Sequence, residues 1–235
     1  MARADAGAIW AVVPAAGRGA RFGGGVPKQY LEIAGQPLLA HALDALLQSP
    51  SVAGAMVALA AGDTRWPGWS ERHGKPLLTC TGGAERAGSV LAALHALPRE
   101  IGAEALVLVH DAARPNLRRD DLERLVRAAL GHADGAILAA PVRDTLKLAD
   151  DDGGIAATAP RERLWRALTP QAFRRGLLTE ALQRAGADNV LVTDEAMAVE
   201  RLGRHPLLVQ GRDDNLKVTT RGDLALAEFL LGRTS

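Results

Sequence analysis

Apolar runs of strand length alternate with helically spaced apolar residues along most of the chain. The clearest strand candidates are residues 9–16, which end in a glycine-rich turn, and residues 105–110, which are almost wholly apolar. Such alternation is typical of a mostly parallel sheet covered by helices. The pattern predicts further strands at 52–60, 77–81, 135–140 and 206–209, and helices at 38–47, 89–97, 120–130, 171–185, 194–202 and 221–231.

Residues 142–164 interrupt this alternation. They are mostly polar, and the sequence Asp150-Asp151-Asp152-Gly153-Gly154 lies between two β-prone flanks, as in a hairpin turn. We therefore expect a β-arm that projects from the rest of the chain. The length of residues 1–235 suits a single α/β domain with this arm as an insertion.

Composition narrows the functional classes. A net charge of +1 gives no electrostatic basis for binding nucleic acid or an anionic membrane. The single cysteine, Cys80, excludes an internal disulfide and fits a reducing compartment. The N-terminal residues resemble no targeting signal, and no apolar run reaches the roughly 20 residues of a membrane-spanning helix. We therefore expect a cytoplasmic protein with no nucleic-acid partner and no membrane partner.

The loop after the first strand is the first candidate site. Its sequence is PAAGRGARF, followed shortly by PKQY, and its small residues allow backbone N–H groups to approach an anion closely. Arg21 and Lys28 add two cations, so the environment suits a triphosphate. Gly17 and Gly19 alone would be weak support, because loops after strands are often rich in glycine for steric reasons.

Two common phosphate-binding motifs do not fit this loop. The dinucleotide fingerprint needs a third glycine where this chain has Phe22. Its ribose-binding acid should lie about 20 residues beyond the loop, at the end of the second strand, whereas the first acid after that strand, Asp63, is much farther away. A P-loop lysine follows glycine and precedes serine or threonine, but the neighbours of Lys28 are Pro27 and Gln29. The loop therefore predicts phosphate binding of another kind.

Two further segments follow predicted strands. GGAERAGSV, residues 82–90, opens a helix, which is either a ligand-binding loop or an ordinary helix N-terminus. HDAARP, residues 110–115, places Asp111 at a strand end, where a carboxylate can bind Mg²⁺ directly or through water. Mg²⁺ is therefore the expected cofactor. Thr169 and Thr193 each stand at the start of a predicted helix, where a threonine is most simply an N-cap.

Eight segments, taken in order, resemble the 2-C-methyl-D-erythritol 4-phosphate cytidylyltransferase family of the non-mevalonate isoprenoid pathway. They are PAAGRGARF, PKQYL, GGAERAGSV, VHDAARP, APVRDTLK, LWRALTPQ, TDEA and GRDDNLKVT, and they span nearly the whole chain. The resemblance implies a Rossmann-like nucleotidyltransferase domain with a mixed, mostly parallel, twisted sheet. It also implies a homodimer held together by interlocking β-arms.

The resemblance further implies roles for individual residues. Arg21 and Lys28 should hold the triphosphate and the transition state, with Lys217 as a third catalytic residue. The implied nucleotide-binding residues are Pro14, Ala15, Ala16, Gly17, Gly19, Gly83, Ala84, Ser89 and Ala112. Those implied for methylerythritol phosphate are Asp111, Arg114, Thr169, Thr193 and Lys217, joined by Thr145 and Arg161 from the partner's arm. Ala84 stands where some family members are acidic, which removes one cytosine contact if a side chain makes it.

The implied reaction is attack of the acceptor's phosphate oxygen on the α-phosphorus of CTP, with loss of pyrophosphate. A phosphate monoester is already ionised at neutral pH, so cations and Mg²⁺ lower the barrier without a general base. A ribitol 5-phosphate cytidylyltransferase is the nearest alternative, disfavoured by Ala113 and the DTLK segment. An NAD-dependent oxidoreductase lacks its fingerprint here, and a non-catalytic nucleotide sensor would not need Arg21 and Lys28 beside a second phosphate-binding group.

Overall fold

The computed structural model describes residues 8–17 and 25–233, and one large sheet organises them. The strands in this part of the chain are β1 (Ile9–Pro14), β2 (Glu32–Ile33), β3 (Gln36–Pro37), β4 (Val52–Leu59), β5 (Glu71–Arg72), β6 (Lys75–Thr81), β7 (Leu106–Val109), β8 (Ala136–Pro141), β9 (Leu146–Ala149), β10 (Ile155–Ala159), β11 (Trp165–Arg174) and β12 (Leu207–Gln210). The helices are α1 (Leu38–Leu47), α2 (Arg86–Ala96), α3 (Arg119–Leu130), α4 (Arg175–Ala187), α5 (Glu195–Glu200) and α6 (Arg221–Leu231), and a 3-10 turn covers Lys28–Tyr30.

The central sheet has eight strands in the order β12-β8-β11-β7-β1-β4-β6-β5. β1 pairs in parallel with both β4 and β7, and β6 extends this parallel block beyond β4. β12 pairs in parallel with β8. β11 joins the two parts because it runs antiparallel between β7 and β8. The sheet is therefore mixed and mostly parallel, as the sequence predicts.

Helices cover both faces of the sheet, and the side chains of β1 alternate between them. Ile9, Ala11 and Val13 pack on one face with apolar residues of α1 and α3. Trp10 and Val12 pack on the other face, where α2, α4 and α5 supply the apolar contacts. A strand buried on both faces needs apolar residues at every position, which explains the continuous apolar runs in the sequence. Within the described residues, no helix has the length and apolar character that crossing a bilayer demands.

Residues 142–164 contain a hairpin that is separate from the central sheet. Its strands β9 and β10 pair antiparallel with each other. Gly153 in the connecting turn has φ of +83°, a left-handed conformation that glycine adopts without strain. The hairpin expected from the sequence is therefore present, and most of its residues are exposed.

The helix predicted at 171–185 is wrong at its start. The residues before Arg175 form the long strand β11, and α4 begins only at that residue. Pro170 has no N–H to donate within β11, and the register of β11 against β8 shifts near it, so the strand carries no simple local pattern. Its pairing with β7 and β8 decides the structure instead. The interpretation of Thr169 as a helix N-cap is therefore wrong.

The start of α5 also differs from the sequence interpretation. Asp194 is the N-cap, because its side chain accepts a hydrogen bond of 2.9 Å from the backbone N–H of Met197. Thr193 precedes the cap and does not fill that role. The two-residue strands β2, β3 and β5 were not predicted either, since two residues are too few to show a period.

Candidate active site

A cavity of about 390 Å³ opens where the carboxyl ends of β1, β6 and β7 meet. In an open sheet of this kind, the loops that follow parallel strands gather ligand-binding groups at one edge. The lining residues that the sequence predicted are Pro14, Ala15, Ala16, Gly17, Lys28, Gly83, Ala84, Ser89, Asp111, Ala112 and Lys217. The lining residues without a predicted role are Gln29, Glu85, Arg86, Ala113 and Thr219.

The first wall of the cavity is the loop after β1 together with the 3-10 turn that carries Lys28. Gln29 is buried in this turn, and its Nε2 donates to the carbonyl of Ala15 at 2.6 Å. The hydroxyl of Tyr30 donates to Asp63 Oδ2 at 2.8 Å, and burial together with this bond raises the pKa of Tyr30. The turn is therefore anchored on two sides, and Lys28 reaches the cavity from a fixed backbone.

The second wall is the loop after β6, which approaches the first loop very closely. A Cβ on Gly82 would lie 2.7 Å from Ala16 Cβ and 2.8 Å from Ser89 Oγ. A Cβ on Gly83 would lie 2.9 Å from the backbone of Gly88. Larger residues cannot occupy these positions without moving a neighbour. The two walls therefore approach each other at Gly82, and the slot between them depends on glycine at that position.

Asp111 follows β7 and lies at the centre of a group of charges. Its Oδ1 accepts from Arg86 Nε at 2.9 Å, while Oδ2 lies 2.9 Å from Lys217 Nζ and 3.4 Å from Arg114 Nε. Burial alone would raise the pKa of Asp111, but the three cations lower it well below its ordinary value. The carboxylate therefore stays ionised and holds three cations beside the cavity.

Arg86 is shared between two carboxylates. Besides its bond to Asp111, its Nη1 and Nη2 donate to the two oxygens of Glu195 at 2.6 and 3.0 Å. Glu195 is 1% exposed, and burial raises its pKa while the charge of Arg86 opposes that shift. Burial would lower the pKa of Arg86, but the two carboxylates raise it overall. Arg86 therefore links the loop after β6 to the end of β7 and to α5.

This group of charges does not fit a divalent cation at Asp111. Both of its carboxylate oxygens already accept from cationic groups, which would repel a metal ion. Mg²⁺ at a nucleotide site commonly takes one or two carboxylates besides substrate phosphates, so Asp111 would have to offer it an oxygen that no cation already contacts. These ion pairs disfavour direct coordination of Mg²⁺ by Asp111, and contact through water stays a prediction. In the structure, this carboxylate forms ion pairs with three cationic side chains and fixes their positions.

Two other predicted residues lie close to Asp111. Arg114 forms the ion pair with Asp111 Oδ2, and its Nη1 donates to the carbonyl of Asn215 at 2.6 Å. Thr169 Oγ1 accepts the backbone N–H of Asp111 at 3.1 Å. Both residues are buried, so they support the cavity from behind its lining.

Among the described residues, the lining of the cavity does not include three other predicted ones, which are Thr193, Thr145 and Arg161. Thr193 is exposed before α5, and its hydroxyl lies 3.6 Å from Met197 Sδ. Thr145 and Arg161 are exposed at the hairpin, where Arg161 donates to the carbonyl of Arg143. The two other predicted residues, Gly19 and Arg21, lie outside the described residues.

Three residues whose side chains make the contacts described above had no role in the sequence interpretation. Gln29, Arg86 and Glu195 each lie inside a segment that the resemblance uses, namely PKQYL, GGAERAGSV and TDEA. Their only local signal is a charged or amide side chain within such a segment. No spacing could reveal that Arg86 and Glu195, which are 109 positions apart, meet in the fold.

Known proteins match this chain over nearly its whole length. Residues 9–233 match the family described as IspD, 2-C-methyl-D-erythritol 4-phosphate cytidylyltransferase. A protein with the latter name from Stenotrophomonas maltophilia strain R551-3 is 65% identical over 226 residues, which cover 96% of this chain and 97% of that protein. Its counterpart from Xanthomonas campestris pv. campestris strain B100 is 64% identical, with coverage of 96% and 85%.

Solved structures agree with the sequence comparison. The crystal structure of the Francisella tularensis enzyme of this name matches with a TM-score of 0.81 and 30% identity, covering 95% of this chain and 99% of that one. The enzyme from Thermus thermophilus matches with a TM-score of 0.76 and 33% identity, covering 95% and 98%. With the sequence motifs, the fold and the cavity in agreement, the chain belongs to the 2-C-methyl-D-erythritol 4-phosphate cytidylyltransferase family.

Proposed function

We propose that this chain transfers the cytidylyl group of CTP to 2-C-methyl-D-erythritol 4-phosphate and releases pyrophosphate. The observation that carries the proposal is that Lys28, the glycine loop after β6, Asp111 and Lys217 line one cavity. Membership of a nucleotidyltransferase family supports the reaction class. We place the reaction in the cytoplasm, whose reducing conditions suit the free thiol of Cys80.

The proposed reaction is a single in-line displacement. An oxygen of the acceptor's phosphate attacks the α-phosphorus of CTP and forms the new P–O bond of the diphosphate product. The bond from the α-phosphorus to the oxygen that bridges to the β-phosphate breaks, and that oxygen leaves with pyrophosphate. A phosphate monoester is largely ionised at neutral pH, so its oxygen attacks without a general base.

The cationic residues of the cavity counter the negative charge of the reacting phosphate groups. Two anions must approach each other, so positioned cations lower the barrier. Lys217 is held 2.9 Å from Asp111 and is therefore in place before substrate binds. Lys28 supplies a second cation from the first wall, and Arg21 is proposed as a third. Magnesium remains the expected cofactor, and when bound it would help to neutralise the negative charge of the triphosphate.

Base selectivity follows from the slot between the two walls. The close approach of Gly82 to Ala16 and Ser89 brings the two walls together, and we propose that the slot beside this contact holds a flat ring. We expect the slot to admit a pyrimidine and to exclude the larger purines. CTP should therefore be used far better than ATP or GTP, with UTP weaker than CTP.

A pyrophosphate-release assay over four nucleotides and two acceptors, methylerythritol phosphate and ribitol 5-phosphate, tests the proposal. Turnover should require CTP and methylerythritol phosphate. Lys28→Ala should reduce kcat by about 10²–10³-fold, as expected for loss of one group that stabilises developing charge. Lys75→Ala is the matched control, because Lys75 begins β6 at the opposite end from the cavity. Comparable turnover with ATP, or a preference for ribitol 5-phosphate, contradicts the proposal.

We also propose that the chain functions as a homodimer through its hairpin. Leu148 and Ile155 are 56% and 69% exposed, which is high for large apolar side chains. Leu146 lies on the same strand face as Leu148, because residues two apart in a strand point the same way. A second copy would cover this apolar surface. In that arrangement Thr145 and Arg161 would reach the acceptor site of the partner.

A mixed dimer of Lys28→Ala and Arg161→Ala chains tests this arrangement. If Arg161 acts on the partner's site, one site of the mixed dimer carries both defects and the other carries neither. The two chains are co-expressed with different tags, and the doubly tagged dimer is purified. It should regain about half of wild-type activity, whereas each parent homodimer is nearly inactive. A mixed dimer no more active than its parents, or a monomer by sedimentation, contradicts the proposal.

A further inference from the structure

His110 is fully buried directly after β7 and contacts two substrate-side elements. Its Nε2 lies 3.0 Å from the carbonyl oxygen of Arg114. Its Nδ1 lies 3.0 Å from the hydroxyl of Thr169, and that hydroxyl also accepts the backbone N–H of Asp111. The imidazole is therefore enclosed by hydrogen-bonding groups from the end of β7 and from β11.

These contacts determine where the protons lie. A carbonyl oxygen can only accept, so Nε2 must carry the proton that bonds to Arg114. His110 is fully buried and its two ring nitrogens contact a carbonyl and a hydroxyl, so no carboxylate among the described residues bonds to the ring to stabilise a charge on it. The ring is therefore neutral near pH 7, in keeping with a pKa that burial lowers, and Nδ1 carries no proton. Nδ1 must then accept from the hydroxyl of Thr169. The single hydroxyl proton of Thr169 is thereby committed to the histidine and cannot be donated to a substrate.

The same contacts stabilise the turn that carries Asp111 and Arg114, the charged residues that the resemblance assigns to the acceptor substrate. The backbone N–H of Arg114 donates to the carbonyl of Asp111 at 3.1 Å, which closes the turn. His110 holds the carbonyl of Arg114, and Thr169 holds the N–H of Asp111. Asn215 ties the loop before Lys217 to this group, because its Nδ2 donates to the carbonyl of Thr169 at 2.7 Å.

We infer that His110 is a positioning residue for the acceptor half of the site and acts through Thr169. The inference rests on the proposed function and revises the role that the family resemblance gave to Thr169. This threonine orients Asp111 and passes the constraint from His110 to it. Its hydroxyl does not touch the acceptor phosphate as a donor.

Kinetics of single and double variants test the inference. Thr169→Val and His110→Phe should each raise KM for methylerythritol phosphate about tenfold, while KM for CTP changes by less than about twofold. The double variant should lose no more than either single variant, because the two residues act as one unit. Thr169→Ser should retain wild-type KM, since it keeps the hydroxyl. Thr179→Val is the matched control, because it loses a hydroxyl that bonds only within α4.

Other kinetic outcomes overturn the inference. Additive losses in the double variant would show that Thr169 and His110 act separately. A larger loss for Thr169→Val than for His110→Phe would show that the threonine contacts the acceptor itself. Equal falls in kcat with both KM values unchanged would show that the two residues only maintain the folded fraction.

Nitrogen-15 NMR of histidine-labelled protein provides a readout that needs neither turnover nor a stable variant of His110. At pH 6 the wild-type protein should show one ring with protonated Nε2 and unprotonated Nδ1 that resists protonation. The Nδ1 signal of this ring should move in Thr169→Val and stay in Thr169→Ser. A protonated Nδ1 overturns the inference even if the enzyme is active. An inactive wild type contradicts the proposed function instead, and the NMR result still decides the inference.

Discussion

The burial of His110 predicts a pH dependence of stability whose size can be worked out. Burial lowers the pKa of its imidazole from 6.5 to about 4 in the folded chain. Attraction to Asp111 and the hydrogen bond to the carbonyl of Arg114 oppose this shift, while the charge of Arg114 adds to it. The unfolded chain therefore binds the proton first as the pH falls, so this group loses stability below pH 6.5 and the loss levels off near pH 4. Between pH 7 and pH 5 the cost is about 2 kcal/mol, at 1.36 kcal/mol for each unit of pKa difference.

Urea unfolding of the wild type and of His110→Gln at pH 7 and pH 5 measures this effect. The variant is less stable at pH 7, but its free energy of unfolding should fall by about 2 kcal/mol less than that of the wild type over this interval. His95→Gln removes an exposed histidine and should keep the wild-type slope. If His110→Gln and the wild type lose stability equally, His110 titrates as an ordinary histidine and the reasoning about its burial is refuted.

Three further predictions concern the charges and the glycine loop. Asp111→Asn should lower kcat/KM while leaving the Mg²⁺ titration unchanged, because this carboxylate holds cations; a shifted titration would restore the metal role. Glu195→Gln should lower the free energy of unfolding by about 3 kcal/mol in chemical denaturation, since it breaks a buried ion pair. Glu200→Gln, at the exposed end of the same helix, is the control and should change this free energy by less than about 0.5 kcal/mol. Gly83→Ala should weaken CTP binding in calorimetry, because its Cβ would meet backbone at 2.9 Å, and Gly102→Ala, with open space around it, should not.

The central strands could be predicted because each of their residues is apolar, as burial on both faces requires. β1 and β7 are covered on both faces, so their sequences are continuously apolar and need no context to recognise. β11 could not be predicted in this way. It contains Thr169, Pro170 and Gln171, which are unusual in a buried strand, and only the pairing with β7 and β8 shows that they belong to one.

The candidate site likewise contains some residues whose roles could be predicted from the sequence and others whose roles could not. Its glycines and the lysines at 28 and 217 could be predicted, because each lies in a loop after a strand or in a segment that the resemblance covers. The role of Asp111 could not be predicted, since a carboxylate at a strand end can bind a metal ion as well as it can pair with cationic side chains. The positions of Arg86, Lys217 and Arg114 around it favour the second role, and these residues come from three separate parts of the chain.

The central claim is that the phosphate of methylerythritol phosphate attacks the α-phosphorus of CTP in this cavity. Phosphorus-31 NMR of the purified chain with CTP, Mg²⁺ and methylerythritol phosphate tests it most directly. The account predicts two mutually coupled diphosphate signals from the product, growing in step with an equal amount of pyrophosphate. A product with separate, uncoupled monoester and diester signals would mean that a hydroxyl attacked instead, and release of CMP with unchanged acceptor would mean that water did; either result contradicts the account.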